Sequence, residues 1–224
     1  MSRVLLKLRK GEAVKYVSHL ELVRAFGFAL RRAEIPVAYS AGFNPRPRMQ
    51  FGRAVGVGVT SDDERIVLDL TSDMNPAEIR DRLNAKLPSG LEALSVEAVP
   101  EGVKSPLSAI NAARFRIAVS CSEGCDSEAV RQAIDRMLES REIRVTRVRD
   151  TGSKEVDIRP YLLGVDSLAI ENGDAVIEVS LSFGDSGGAG PQDFVQALGS
   201  LVANLRVRGI HRIEQFRQER KAGE

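Results

Sequence analysis

The chain has 224 residues, enough to bury the core of one large domain or two small ones. Its 43% hydrophobic and 28% charged residues are those of an ordinary soluble protein. No apolar run approaches the roughly 20 residues that cross a bilayer, and the first ten residues alternate apolar and basic side chains without a signal-peptide core. A cytoplasmic location and no membrane contact are the expectation.

The net charge of +1 conceals a segregation. Residues 1–60 hold eleven Lys/Arg against three Asp/Glu, a net +8, residues 61–110 carry −5 and residues 111–224 carry −2. One reading is that the first segment meets a polyanion. The other is intramolecular, the basic segment packing against the acidic one.

In chain order, Arg3–Arg9 alternates as a strand that Gly11 ends. Ser18 with Glu21 three residues on forms a capping box, opening a helix to about Ala33 whose buried stripe is Leu22, Phe26, Ala29, Leu30 and Ala33. Pro36 ends that region, and Val37–Tyr39 is a short extended piece. Tyr39-Ser-Ala-Gly-Phe-Asn-Pro-Arg-Pro-Arg48 follows, a loop stiffened by two prolines and loosened by Gly42. Residues 49–59 are apolar at alternate positions and glycine-rich, predicting a bulged strand. Ser61–Glu64 reads as a turn, Arg65–Leu70 as a strand, Pro76–Leu87 as a helix with proline at its first position, and Leu91–Val99 as a strand. Strand, helix, strand, strand, helix, strand is the element order of a split βαβ, or ferredoxin-like, sandwich.

Pro100–Asn111 reads as a linker. Beyond it the pattern recurs: strand 114–119, helix 126–139, strand 143–148, a short strand at 156–158, a hairpin of 162–170 and 175–183 about Asn172-Gly173, a flexible glycine-rich loop 184–190, helix 191–201 and strand 206–213. The fold class is therefore α+β, two tandem ferredoxin-like sandwiches with antiparallel sheets, a first domain over 1–100 and a second, with extra strands, over 112–224.

Cys121 and Cys125 lack the Cys-x-x-Cys spacing, and the two histidines, His19 and His211, lie far apart, so no metal site and no cofactor is expected. The cysteines read as reduced thiols at a strand-to-helix turn.

A long combination of residues carries a family resemblance: Tyr16, Ser18-His-Leu20, Arg24-Ala-Phe26, Ala29-Leu-Arg-Arg-Ala33, Pro36, Tyr39-Ser40, Gly42-Phe-Asn-Pro45, Pro47-Arg48, Gly56-Val57 and, later, Asp157-Ile-Arg-Pro160. With these the chain resembles a bacterial family of radical-SAM-associated proteins, a domain of unknown function. The resemblance implies a domain that stands alone or is joined to a radical SAM protein of the cobalamin-binding type. It also implies genes near those for a ribonuclease and ribosomal proteins, hence a role in RNA metabolism. Arg46 stands where relatives are expected to carry histidine, and Ala54 where proline is usual.

Several residues are candidates for chemistry, each with a plainer alternative. Arg24, Arg31 and Arg32 share one side of the first helix, and Arg46 and Arg48 alternate in the loop; they bind phosphate, or they are solvated or ion-paired. Phe43 and Tyr39 offer stacking faces and Asn44 an amide beside them. His19, in the first helical turn, is a candidate general base of a nuclease, or a histidine bonded to a carbonyl. Asp157, with Arg159 beside it, is a candidate catalytic carboxylate of a base-modifying enzyme, or half of a structural ion pair. The leading expectation is an RNA-binding accessory protein that recognises substrate for a radical SAM enzyme in tRNA or rRNA modification. A stand-alone RNA-processing or base-modifying enzyme, and a scaffold that binds only protein, are the alternatives.

Overall fold

The structure, a computed structural model, describes residues 2–103, 105–121, 127–149, 152–171, 174–184 and 187–219. It mixes helices with antiparallel sheet and divides into two compact units, residues 1–109 and 110–224.

The first unit runs β1 (Ser2–Lys10), α1 (His19–Arg32), β2 (Met49–Phe51), β3 (Val59–Leu70), α2 (Pro76–Asn84) and β4 (Leu91–Ala98). β1 pairs antiparallel with β3 and β4, and β2 with β3, giving the order β4-β1-β3-β2. Alternation decides which face is covered. Val4, Leu6 and Leu8 of β1 stand opposite Leu68, Ile66 and Glu64 of β3, and the apolar members of this set are buried with the helix residues Leu22, Phe26, Ala29, Leu30, Ile79 and Leu83. Burying each such large side chain contributes about 1.5–3 kcal/mol, so the expected α1 stripe is what pins the helix to the sheet. The capping box is present: Ser18 Oγ accepts from the Glu21 N–H, and the Glu21 carboxylate accepts from the Ser18 N–H at 2.9 Å and its hydroxyl at 2.7 Å. Asn75 caps α2 by accepting from the Ala77 N–H at 2.8 Å, and the Asn84 amide bonds both backbone groups of Ala93, tying the helix end to β4.

Ser61–Glu64 is strand rather than the expected turn. These residues continue β3, with Ser61 opposite Lys10 and Glu64 opposite Leu8, and Asp62 meets Arg9 at 2.8 Å. Four consecutive polar residues join a strand because β1 supplies backbone partners and a cation. Conversely, residues 52–58 are not strand, so the expected bulged strand shrinks to β2.

The second unit runs β5 (Ala112–Cys121), α3 (Ser127–Glu139), β6 (Arg144–Arg149), β7 (Gly152–Asp157), β8 (Leu162–Glu171), β9 (Asp174–Gly184), β10 (Gly187–Gly188), α4 (Pro191–Leu201) and β11 (Leu205–Phe216). Its antiparallel pairings give β11-β5-β9-β8. β6 and β7 form a separate hairpin inserted after α3. Phe115, Ile117 and Val119 of β5 and Ile177, Val179 and Leu181 of β9 are buried, as are Val130, Ile134 and Met137 of α3 and Phe194 and Leu198 of α4. Within 184–190, expected as a flexible loop, Gly187 and Gly188 pair back onto Gly184 and Phe183. A Cβ on Gly188 would lie 2.7 Å from Phe183, so only glycine permits that close return. Cys121 ends β5; Cys125 and the Asn172-Gly173 turn lie outside the described residues.

Candidate nucleic-acid interface

Residues 38–49 form a closed hairpin arm growing from the end of β3. The Ala38 N–H donates to the Asp69 carbonyl, the Arg48 N–H to the Ala38 carbonyl at 2.7 Å and the Ser40 N–H to the Arg46 carbonyl at 2.9 Å, while the Arg46 N–H donates back to Ser40 Oγ at 3.0 Å. Tyr39 bridges Pro47 across the arm. Residues 41–45, Ala-Gly-Phe-Asn-Pro, are left as the tip, where Gly42 adopts φ +115° in open space. The prolines thus brace a hairpin, and the conformation of the tip is restricted before any ligand arrives.

The arm touches α1 at Gly27. A Cβ there would lie 3.8 Å from the Met49 methyl and 4.0 Å from Pro47 Cγ. A glycine inside a helix costs about 1 kcal/mol relative to alanine; here it lets the arm approach. At about 100° per residue, Leu20, Arg24, Gly27, Phe28 and Arg31 share roughly 100° of the helix surface. Arg24 and Arg31 therefore stand one turn to either side of the Gly27 contact, while Arg46 and Arg48 flank Pro47 on the arm. All four arginines are exposed.

They are not equivalent. Arg48 Nε lies 3.2 Å from Asp69 Oδ2, and its backbone is bonded on both sides, so it clamps the base of the arm. Arg32 turns away from this face and donates Nη2 to the Lys86 carbonyl at 2.8 Å, after the end of α2. Each has a long-range partner within its own unit while its side chain remains exposed. Arg31 and Arg46 make no ion pair or side-chain hydrogen bond among the described residues, and Arg24 faces only Glu21, whose carboxylate is held by Ser18. Those Ser18 bonds, side chain first and then backbone, with Arg24 adding a smaller attraction, pull the Glu21 carboxyl below the usual glutamate range.

Aromatic and apolar side chains surround these cations. Phe43 at the tip has a relative exposure of 106%, Leu20 and Phe28 of α1 are 68% and 60% exposed, and Tyr39 is 42% exposed. Asn44, also exposed, puts an amide donor and acceptor next to Phe43. Leu20 and Phe28 were missed by sequence reasoning. Their signal is that they fall eight residues apart, off the Leu22–Phe26–Ala29–Leu30 stripe, and so cannot be core.

The two candidate catalytic residues are placed otherwise. His19 is exposed, its ring edge-on to Phe51 at 5.3 Å, and it makes no hydrogen bond among the described residues. Phe51 in turn packs edge-on against Phe26, so His19 covers the rim of the core. Asp157 Oδ1 accepts from the backbone N–H groups of Ile143 at 2.8 Å and Arg159 at 3.0 Å. The Arg159 guanidinium, expected to pair with Asp157, instead donates to the carbonyls of Leu138, Ser140 and Leu162. This Asp-Ile-Arg-Pro segment caps the carboxyl end of α3, whose last carbonyls have no partner inside the helix. No helix among the described residues is long and apolar enough to cross a membrane, and no three His, Cys, Asp or Glu residues there are placed to hold a metal ion.

Among solved structures, a chain in a crystal structure of a Cbf5-Nop10-Gar1 complex matches 96% of this chain with a TM-score of 0.52 at 11% identity. A chain of an archaeal box H/ACA sRNP Nop10-Cbf5 complex matches 93% with a TM-score of 0.48 at 9% identity. This chain spans about half the length of each, 50% and 46%. The first likeness is one of fold alone. No curated protein matches the chain. The family scan is decisive, since its match runs from residue 3 to residue 191: the chain belongs to the family described as "Uncharacterized protein conserved in bacteria (DUF2344)".

Proposed function

We propose that the first unit is an RNA-binding module, and that the chain works as substrate-recognition partner of a radical SAM enzyme of the cobalamin-binding type in tRNA or rRNA modification. We also read each unit as a ferredoxin-like sandwich. The orders β4-β1-β3-β2 and β11-β5-β9-β8 are the same path through strand–helix–strand–strand–helix–strand, with β6–β7 and β10 as additions in the second unit.

One observation carries the binding reading. Arg24, Arg31 and Arg46 ring the contact between α1 and a proline-braced arm, exposed and with no carboxylate bonded to them. Exposed guanidinium groups with no carboxylate bonded to them suit phosphate oxygens. The partner enzyme's class rests on the sequence resemblance. The chain's two cysteines are too few to ligate an iron–sulfur cluster, so the radical chemistry would be the partner's.

The test is a salt titration of binding to unpaired RNA. Each phosphate contact adds about 0.7 to the log–log slope, so Arg24→Ala/Arg31→Ala/Arg46→Ala should flatten the slope by about 2. A slope identical to wild type would overturn the reading.

A further inference from the structure

We infer that the hairpin tip selects unpaired nucleotides: Phe43 is a stacking platform for a base that no longer has a pairing partner, with Asn44 beside it to meet the base edge. This deepens the RNA-binding reading and rests on it.

A phenylalanine with every face in water is costly to keep unless something covers it, since burying such a ring is worth about 1.5–3 kcal/mol. The arm beneath it is closed by the Ser40–Arg46 pair of bonds, joined to β3 through Ala38 and Asp69, and braced by Pro45 and Pro47. Only Ala41–Pro45 projects, with Phe43 at its middle. The ring is thus presented at the end of a closed arm, so that covering it fixes only the short tip and the ring's own torsions.

The occupant follows from what stands around the stalk. Arg46 leaves the tip three residues after Phe43, and Arg24 and Arg31 lie beside the arm's contact at Gly27. Arg24, Arg31 and Arg46 have no carboxylate bonded to them, so a ligand that reaches both them and Phe43 joins a flat apolar face to anions. A nucleotide has this composition. A base inside a duplex offers its face to its neighbours in the stack, and the edges an A-form helix displays are not π faces. Aromatic side chains therefore read unpaired segments, where bases are splayed. Asn44 can give and accept one hydrogen bond each to a base edge.

The test compares wild type, Phe43→Ala, Phe43→Trp and Arg46→Ala on two probes with equal numbers of phosphates, an unpaired oligouridylate and a blunt RNA duplex. Wild type is expected to prefer the unpaired probe. Phe43→Ala should weaken binding to it by roughly 5- to 140-fold, the range of one lost stacking contact, with duplex affinity and salt slope unchanged. Phe43→Trp should keep the preference, and Arg46→Ala should weaken both probes alike. Equal affinity of wild type for the two probes, or an intact preference in Phe43→Ala, would overturn the inference while salt-dependent RNA binding persisted. Absence of salt-dependent binding to either probe would instead remove the reading beneath it. Since Phe43 is fully exposed, these variants fold as wild type does, and matching thermal melts verify that. Retention of a protein in place of either RNA, lost in Phe43→Ala, would overturn the inference in favour of a protein partner.

Discussion

Each unit holds arginines of two kinds, set apart by what they meet. In the second, Arg136, Arg141, Arg206 and Arg217 are exposed with no ion pair or side-chain hydrogen bond among the described residues, while other guanidinium groups hold the fold together. Arg147 forks onto Asp193 at 2.9 and 2.7 Å and reaches the Gly188 carbonyl; the Asp193 bonds raise its pKa, against the opposing effect of burial. Arg159 gathers three carbonyls at the end of α3, and Arg116 lies across from Glu178 in the β5–β9 ladder at 2.7 Å. In the first unit Arg9, Arg32 and Arg48 are bonded within the fold, but Arg24, Arg31 and Arg46 are exposed with no ion pair or side-chain hydrogen bond among the described residues. Charge counted along the chain does not separate these cases, because what distinguishes an available cation from a structural one is the partner it meets after folding.

The contrast breaks first at Arg159, where the largest loss of stability is expected. Arg159→Ala leaves the Leu138 and Ser140 carbonyls without their donor and removes a cation from the negative end of α3. A destabilisation of about 2–4 kcal/mol follows from losing charge-assisted bonds at a part-buried site. Urea unfolding followed by circular dichroism measures it, and RNA affinity of the folded variant should match wild type. A normal midpoint would show that Arg159 is as dispensable as the arginines of α1.

The same split explains what could be read before the structure. The α1 stripe and its capping box are written in local spacing, three to four residues apart, so both were legible. The stiffness of residues 39–48 was legible from Pro45 and Pro47. Its form as a hairpin was not, because Ser40 and Arg46 close it through backbone groups that have no sequence signature. The contacts of Arg32 and Arg48 were illegible for a related reason. Their partners, the Lys86 carbonyl and Asp69, lie 54 and 21 positions downstream, beyond any helical or strand period. Arg48 meets Asp69, and Arg9 meets Asp62 and Glu92, so part of the +8 segment is neutralised within its own unit, as the intramolecular reading of the charge asymmetry expects. The Ser61–Glu64 misreading has the same source, since a strand stabilised by Arg9 across the ladder looks like a turn when Arg9 is left out.

A smaller loss of stability is expected at the start of α1. Ser18→Ala removes the acceptor of the Glu21 N–H and should cost about 1 kcal/mol. Glu21 adds a pH dependence. Its carboxyl is depressed by the Ser18 bonds, so its contribution is complete above the ordinary glutamate value of about 4.3 and is lost as pH falls through its own lower value. The stability advantage of wild type over Glu21→Gln should therefore be constant near neutrality and vanish in acid, as read from urea midpoints across pH. A constant difference down to the acid limit would mean that the carboxylate is not held by Ser18.

The smallest stability effect belongs to the arginines held ready. Arg31→Ala/Arg46→Ala removes two exposed side chains with no bonded partner, and such surface changes stay within about 0.5 kcal/mol. The double variant should melt with wild type, in contrast to Arg159→Ala, although both alter only exposed or part-exposed arginines. Its tolerance matters because a cation that contributes nothing to the fold keeps its charge available, which the proposed binding requires. A drop of 2 kcal/mol or so would place Arg31 and Arg46 among the structural arginines, and the first unit would then differ from the second in charge alone.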